Sequence, residues 1–427
     1  MRNRDNTTAH SPLSTLHWLR EDKYMNQEFI HIAGGVTAPS GFKASGVKAR
    51  IKYDKKDLAV IVSEVPAAAA GVFTTNKVKA APVLLCAENL ADYTAQAVVV
   101  NSGCANACTG DLGMEMARQM AAAAALHLGI KPSDVMVAST GVIGQKLPMD
   151  RIIPGIALAA GAVSSEGGHD AAEAIMTTDT VPKETAVQFK LGDKMVTIGG
   201  IAKGSGMIQP NMATMLAFLT SDVNIDPLLL NKALKFVADR TFNMVTIDGD
   251  TSTNDSLVIL ANGMAGNTRI EQEDVSFRIF QDALAEVCIT LVKMIARDGE
   301  GATKLVEIRI RNAPSFTDAK AVAKAIANSN LVKTAIFGED ANWGRIICAV
   351  GYSGIDINPD RIDIYLGEEK VAENGAGLDF SEDRAKVILQ QEHIIITVDL
   401  HIGDAAATAW TCDFSFDYVK INASYRT

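Results

Sequence analysis

Strand-like and helix-like segments alternate along most of this 427-residue chain, and that alternation constrains the fold more than any other feature. "LAVIVSEV" (58–65) and "AVVVNSG" (97–103) are rich in β-branched residues and read as strands. "MEMARQMAAAAALHLG" (114–129) predicts a helix closed by Gly129, and "VMVAST" (135–140) a strand running into Gly141. Asp226 and Pro227 supply an N-cap and first-turn proline for a helix whose Leu229, Leu230, Ala233, Leu234 and Val237 share one face. A longer helix spans 274–299, with Phe277, Phe280, Leu284, Val287, Leu291 and Ile295 on a stripe. The last third changes character. "KLVEIRIRNA" (304–313) alternates Val306, Ile308 and Ile310 with Glu307, Arg309 and Arg311, which predicts a half-exposed strand. A helix (317–329) and short strands (361–367, 393–403) follow. The pattern predicts an α/β core to about residue 310 and a smaller C-terminal α+β domain over 311–427, without repeats or low-complexity linkers.

Charge narrows the partners. Forty Lys and Arg stand against 50 Asp and Glu, a formal net charge of −10, which argues against nucleic acid and anionic membranes. No stretch approaches the roughly 18 apolar residues of a membrane span; "MAAAAALHLGI" (120–130) is broken by His127 and Gly129. Cys86, Cys104, Cys108, Cys288, Cys348 and Cys412 sit mostly in apolar segments and read as small buried hydrophobes of a reducing, cytoplasmic setting. Residues 1–29 are polar and lack a hydrophobic signal core. Early arginines there suggest a transit peptide, while Asp5, Glu21 and Asp22 count against one, so the segment reads as a loose arm.

Several motifs fail on inspection. "GSG" (204–206) lacks the third glycine and distal acid of a dinucleotide loop. "DGDTSTNDSLVI" (248–259) opens like a calcium loop, but Thr253 stands where glycine is needed and Ile259 where glutamate is needed. Cys104 and Cys108 have no second pair at zinc spacing. No resident cofactor or metal is expected.

"KGSGMIQPNMATML" (203–216) is the stretch that carries chemistry. A glycine-containing loop and a Pro210–Asn211 turn lead into small Ala213, then Thr214, then an apolar run. A threonine hydroxyl is a poor nucleophile without a base, and no His or Asp lies at a telling offset. Cleavage of the Ala213–Thr214 bond would give Thr214 its own α-amine. Such an amine, with a pKa of about 7.7–8.0, is roughly 10–20% neutral at pH 7 and so able to accept the hydroxyl proton. Taken alone, a threonine that starts a buried strand is structural far more often than catalytic.

The same stretch resembles the processing site of the ornithine acetyltransferase family, also called the bifunctional glutamate N-acetyltransferase/amino-acid acetyltransferase. So, in order, do "GGVTAPSGFKASGVKARIK" (34–52), "GVFTTNKVKAAPV" (71–83), "NSGCANACTG" (101–110), "ASTGVIGQKLP" (138–148), "IMTTDTVPK" (175–183), "TIDGDTSTNDS" (246–256), "ARDGEGATK" (296–304), "GEDANWGRI" (338–346) and "VKINASYRT" (419–427). The likeness runs from about residue 30 to the end and leaves 1–29 outside.

The resemblance implies a layered α/β sandwich, self-cleaved into two chains of 213 and 214 residues and assembled as α₂β₂. The α chain would supply the first half of the core (30–213), and the β chain the second half (214–310) with the nucleophile at its N-terminus. The implied reaction carries acetyl from N-acetyl-L-ornithine to L-glutamate in arginine biosynthesis. Some members also take acetyl-CoA as co-substrate, and these motifs do not separate the two kinds. Thr214 is the implied nucleophile and base, with the cleaved bond at Ala213–Thr214. Thr140 and Gly141 are the implied oxyanion donors, which could equally be a turn requiring glycine. Implied substrate contacts are Thr177, Lys203, Thr214, Glu300, Asn422 and Thr427. Adjacent Thr178 is not separated from Thr177 by spacing, and Lys203 and Glu300 on their own read as solvated surface charges. Two alternatives stand beside this reading: an amidohydrolase or aminopeptidase of related fold, which would pass the acyl group to water, and a non-catalytic binding relative.

Overall fold

The computed structural model describes residues 28–209 and 215–424; Ala213, Thr214 and Thr427 lie outside the described residues. The first sheet has nine strands: β1 Ile30–Ile32, β2 Phe42–Val47, β3 Leu58–Phe73, β4 Thr94–Cys104, β5 Val135–Val142, β6 Lys183–Leu191, β7 Lys194–Lys203, β8 Leu216–Ser221 and β9 Ser256–Ala261. Their order is β1-β6-β7-β8-β9-β3-β4-β5, with β2 also on β3. The second sheet holds β10 Leu305–Ala313, β11 Asp363–Leu366, β12 Glu369–Glu373, β13 Ala376–Gly377, β14 His393–Asp399 and β15 Ala405–Cys412, in the order β13-β12-β11-β14-β10-β15. The helices are α1 Ala81–Asn89, α2 Gly110–Leu128, α3 Met149–Gly161, α4 Gly168–Ile175, α5 Pro227–Arg240, α6 Val275–Arg297, α7 Phe316–Ala327, α8 Asn330–Phe337, α9 Trp343–Gly351, α10 Glu382–Leu389 and α11 Phe416–Ser424.

Strand β3 organises the first sheet. The strand expected over 58–65 continues through Pro66 to Phe73, sixteen residues in all. Its first half pairs with β2 and β4, its second half with β9, and its pairing with β4 shifts register between Val62 and Ala67. Proline donates nothing to a ladder, and here it sits where the ladder is already interrupted. One apolar cluster draws Val98, Val100, Met136 and Ala138 from β4 and β5, and Leu216, Phe218, Val258 and Leu260 from β8 and β9. Strands from the β4–β5 end of the sheet and from its middle therefore share one core. The opposite faces carry helices. Ala97, Val99, Val135 and Val137 pack with residues of α2 and α3, while Ala217, Leu219, Leu257 and Ile259 join the cluster of α5 and α6. This is a layered α/β sandwich, as the resemblance implies; the alternating pattern implies only an α/β core.

The second sheet corrects one expectation. Glu307, placed on the wet face of a half-exposed strand, is fully buried. Helix α6 covers that face through Lys293, 3.1 Å from Glu307, while α7 covers the other, where Thr411 Oγ1 donates to the Ala327 carbonyl. A strand covered on both faces can keep a carboxylate only by pairing it, and Glu307 also meets Arg309 (2.6 Å) and the Trp410 indole N–H (3.3 Å). A second correction concerns the cysteines. All six are unpaired, and Cys108 and Cys348 are exposed rather than buried. Cys108 sits at φ +57° in the turn before α2, and Cys348 on the outer side of α9. Among the described residues no cluster suited to a metal ion occurs, and no helix is long and apolar enough to cross a membrane.

Candidate active site

Strands β5 and β7 end beside one cavity of about 230 Å³, which the loops before β9 and after α6 and helix α11 complete. Thr140, Gly141, Thr177, Lys203, Glu300 and Asn422 all line it. Six of the residues singled out by the sequence are thus brought together from positions 282 residues apart.

Gly141 needs to be glycine twice over. Its φ is +129°, and a Cβ there would stand 2.3 Å from the Gly103 carbonyl carbon. Gly103 is its register partner, and the β4–β5 ladder slips at this point, with Cys104 opposite both Thr140 and Val142. The strand expected to stop at Thr140 instead runs on to Val142 through this irregularity. The Thr140 hydroxyl makes no hydrogen bond to a described residue, which leaves it available to a ligand.

Lys203 ends β7 opposite Leu216, the first residue of β8. It is 5% exposed, so the reading of a solvated lysine does not hold. Burial pushes its ammonium below the ordinary lysine range, Lys183 adds to this, and Asp179, Asp255 and Glu300 pull the other way. Its nearest acid is Asp179, at 3.8 Å. Asp179 is already engaged: it accepts from the amides of Thr177 (3.0 Å) and Gly204 (2.6 Å) and from Lys183 (2.7 Å). Burial alone would raise the Asp179 carboxyl, but Lys203 and Lys183 outweigh it and hold the group well below the carboxylate range. Lys203 is left with charge to spare toward the cavity. Thr178 spends its hydroxyl on Ser205 Oγ at 2.7 Å, whereas Thr177 makes no side-chain hydrogen bond to a described residue. The spacing ambiguity between them is thereby weighted toward Thr177.

Glu300 is 8% exposed. Its amide donates to the Ser205 carbonyl (2.7 Å), and a Cβ on Gly206 would strike its carboxylate at 2.5 Å. Asn422 Nδ2 donates to Glu300 Oε2 at 2.8 Å. Helix α11 reaches the cavity because Gly301, at φ +72°, lets the chain at Tyr418 come within 2.5 Å of where a Cβ would be. The last turn of the described chain therefore folds back over the site, as the resemblance implies for the C-terminus. Tyr418 lines the same cavity, and burial with Asp248, Asp250 and Glu300 nearby drives its phenol well above the usual range, so it stays a proton donor.

Three further groups escape a reading of the sequence. Asp248, rejected as a calcium ligand, accepts from the amides of Met207 (2.5 Å) and Ile208 (2.8 Å) and so clamps the loop after β7. Asn254 donates to the carbonyls of Ala105 (2.6 Å) and Ser139 (2.8 Å), tying β9 to the Thr140 turn. Asp255 is wholly buried, and neither carboxylate oxygen has a hydrogen-bond partner among the described residues. Burial raises it well above the carboxylate range, and the positive charge of Lys203 opposes this without reversing it. An acid in "TNDSLV" looks like a turn residue, and no signal in the sequence marks it as buried.

The chain leaves the described region at Gln209, whose carbonyl accepts from Thr251 Oγ1 at 3.1 Å, and returns at Met215, whose carbonyl accepts from the Ser256 amide at 3.1 Å. Both ends are pinned to the 251–256 segment beside the cavity.

Comparison with known proteins shows which family the chain belongs to. The pattern of the ArgJ family matches residues 43–427. The arginine biosynthesis bifunctional protein ArgJ of Symbiobacterium thermophilum is 56% identical over 399 residues, covering 93% of this chain and 99% of its own. That of Thermotoga neapolitana is 51% identical over 395 residues, with 91% and 99% covered. Among solved structures, the arginine biosynthesis bifunctional protein argJ of Bacillus halodurans is 48% identical, covers 50% of this chain and 100% of its own, and has a TM-score of 0.49. With the pattern covering nine-tenths of its length and relatives above half identical, the chain belongs to the ArgJ family.

Proposed function

We propose that this cavity carries acetyl from N-acetyl-L-ornithine to L-glutamate, by way of an acetyl ester on Thr214, as a step of arginine biosynthesis in the cytoplasm. The observation that carries the reading is one small cavity presenting a buried, under-neutralised ammonium and a buried carboxylate together: Lys203 and Glu300. Lys203 suits the α-carboxylate shared by both substrates, and Glu300 the cationic end of ornithine. Glutamate brings a second carboxylate in place of that cation, and the Asn422 amide and the protonated Tyr418 hydroxyl are the donors at hand for it. Thr140 and Gly141, which line the cavity, are the proposed donors to the developing oxyanion.

The sequence of events follows from one nucleophile and one pocket. Thr214 first attacks the Ala213 carbonyl and the chain divides. Its freed α-amine then takes the hydroxyl proton as Oγ attacks the acetyl carbonyl, and hands that proton to the departing ornithine amine. Glutamate enters the emptied pocket and its amine removes the acetyl group, returning Thr214. Both chains stay in one fold because β7 and β8, on either side of the cut, pair from Ile198↔Ser221 to Lys203↔Leu216. An α₂β₂ particle is the assembly proposed.

Chain masses and kinetics test this. The wild-type protein is expected as two chains of about half mass, the second starting with Thr, and Thr214→Ala as one uncleaved, inactive chain. Double-reciprocal plots should be parallel. Acetylornithine alone should leave the β chain heavier by one acetyl group. A single full-length species with full activity, or intersecting lines without acetylated β chain, would overturn the mechanism.

A further inference from the structure

Four buried charges of alternating sign adjoin the reaction cavity: Asp298, Lys183, Asp179 and Lys203. Lys183 stands second in the row. Its ammonium is 2.6 Å from Asp298 and 2.7 Å from Asp179, and Asp179 in turn lies 3.8 Å from Lys203. The side chains of Lys183 and Asp179 are wholly buried, and that of Asp298 is 7% exposed. Of the four, Lys203 lines the cavity and the other three do not. Those three therefore act on a bound molecule only through the residues they hold.

Each acid holds a different wall. Asp179 accepts from the amide of Thr177 (3.0 Å), a cavity residue, and from that of Gly204 (2.6 Å), the neighbour of Lys203. Asp298 accepts from the Thr180 amide (3.0 Å) and the Thr180 hydroxyl, and stands two residues before Glu300. The Glu300 amide donates to the Ser205 carbonyl (2.7 Å), and Ser205 Oγ shares a hydrogen bond with Thr178 Oγ1 (2.7 Å). Segments 177–183, 203–206 and 298–300 are thus tied to one another in a closed triangle.

Asp298 breaks a local rule. It follows the last residue of α6, and its amide donates to the Met294 carbonyl at 3.1 Å. The negative end of a helix disfavours a carboxylate, and burial disfavours it further. Lys183 offsets both. Such a pair adds little stability that apolar side chains could not supply, but it fixes one geometry where apolar packing can slide. Here the geometry it fixes is the placement of the Glu300 loop against the segments that carry Thr177 and Lys203.

We propose that Lys183, through Asp179 and Asp298, is a positioning residue that sets the span between Lys203 and Glu300, and with it the carbon-chain length of the amino acid the cavity accepts. This rests on the reading of the cavity as an acetyl-transfer site in which Lys203 takes the α-carboxylate and Glu300 the far ammonium. A cavity of about 230 Å³ leaves little slack. One methylene more or less moves the far ammonium toward or away from Glu300, and a held span punishes both errors. A loosened span would accept them more evenly and grip the right length less well.

The test compares the α-N-acetyl derivatives of 2,4-diaminobutyrate, ornithine and lysine, which differ by one methylene at each step, as donors to glutamate. Wild-type kcat/KM should favour ornithine over the other two by about tenfold or more. Asp298→Asn keeps the shape and removes the charge that Lys183 meets. With rates expressed per cleaved chain, its KM for acetylornithine should rise about tenfold, kcat should stay within about threefold, and the preference for ornithine should shrink to about threefold or less. A merely structural defect lowers all three donors alike, so equal loss, or an unchanged preference, overturns the proposal. If Asp298→Asn does not fold, Thr180→Val at an exposed position decides: it should relax the same preference by about twofold or more, and an unchanged preference overturns the proposal. If wild-type protein uses all three donors equally well, the proposal falls alone. If it transfers no acetyl from acetylornithine to glutamate, the acetyl-transfer reading falls and takes this one with it.

Discussion

Two buried carboxylate clusters sit on opposite sides of helix α6, and they are built differently. In the second sheet, Glu307 is met by Lys293, Arg309, His393 and the Trp410 indole, all at 3.4 Å or less. Under the first sheet, Asp179 is equally well supplied, but the charge it is meant to balance is not: among the described residues Lys203 has no ion-pair partner closer than Asp179 at 3.8 Å, and the Asp255 carboxylate has no hydrogen-bond partner. Burial costs both clusters several kcal/mol per ion, and only saturation with partners offsets that cost. The saturated cluster is scaffold. On the proposed reading, the unsaturated one keeps interactions in reserve for a substrate, and accepts lower stability for it.

Breaking the saturated cluster should give the largest effect. Glu307→Gln leaves Lys293 and Arg309 facing a neutral amide, and loss of one partner from a buried pair costs about 3–5 kcal/mol. Urea unfolding should show that loss, while kcat of the folded fraction stays near wild type. A drop in kcat with unchanged stability would erase the distinction between the clusters.

In the other cluster the same kind of change should invert the readout. Lys203→Met removes an under-neutralised ammonium, and Asp179 keeps Lys183 and two amides. Stability should hold or rise. Loss of the partner to a buried substrate carboxylate costs about 2–5 kcal/mol in kcat/KM. Marked destabilisation with little kinetic change would place Lys203 in the scaffold.

Thr140→Ala sharpens the boundary of the unsaturated region. Its hydroxyl serves no described neighbour, so the fold should not register its removal. Loss of one oxyanion donor should lower kcat by about 10²-fold, with a smaller change in KM. If KM alone rises, Thr140 touches the ground-state substrate instead.

The contrast also explains how much of the molecule is legible in its sequence. Strands such as Val135–Val142 and helices such as Pro227–Arg240 announce themselves because period, cap and composition are local. The β6–β7 hairpin, Lys183–Lys203, does not: it alternates weakly and carries Lys183 at a buried position, which its ion pairs with Asp179 and Asp298 make tolerable. Glu307 misleads for the same reason, since a charge in an alternating strand reads as a wet face when its neighbours are unknown. The candidate residues are legible through motif resemblance, Lys203 and Glu300 above all, whose own surroundings in sequence look like solvent. Asp248 and Asp255 are not, because nothing local distinguishes a clamp or an orphaned acid from a turn residue.

The smallest effect is also the one that separates the clusters by sign. Burial would raise the Glu307 carboxyl, but His393, Lys293 and Arg309 outweigh it and hold the folded value below the ordinary 4.5. A depressed carboxyl contributes stability that is present above its unfolded pKa and lost as pH falls through the folded one. Asp255 is the reverse: burial holds its folded value well above 3.8. Folding then favours the protonated form, so its contribution is complete below the unfolded pKa and is lost as pH rises through the folded one. In the uncleaved Thr214→Ala background, two difference curves from urea unfolding between about pH 3 and about pH 8 should therefore slope oppositely. The deficit of Glu307→Gln should shrink toward low pH. Asp255→Asn should gain on its parent as pH rises, by about 1 kcal/mol, toward the lower end of what an unsatisfied buried polar group costs. The same Asp255→Asn change in cleavable protein should lower activity, because Asp255 lies in the field of Lys203 and near Met215, which follows the proposed nucleophile. Parallel curves would mean that Asp255 finds a partner in solution, and that the unsaturated cluster is no different in kind from the saturated one.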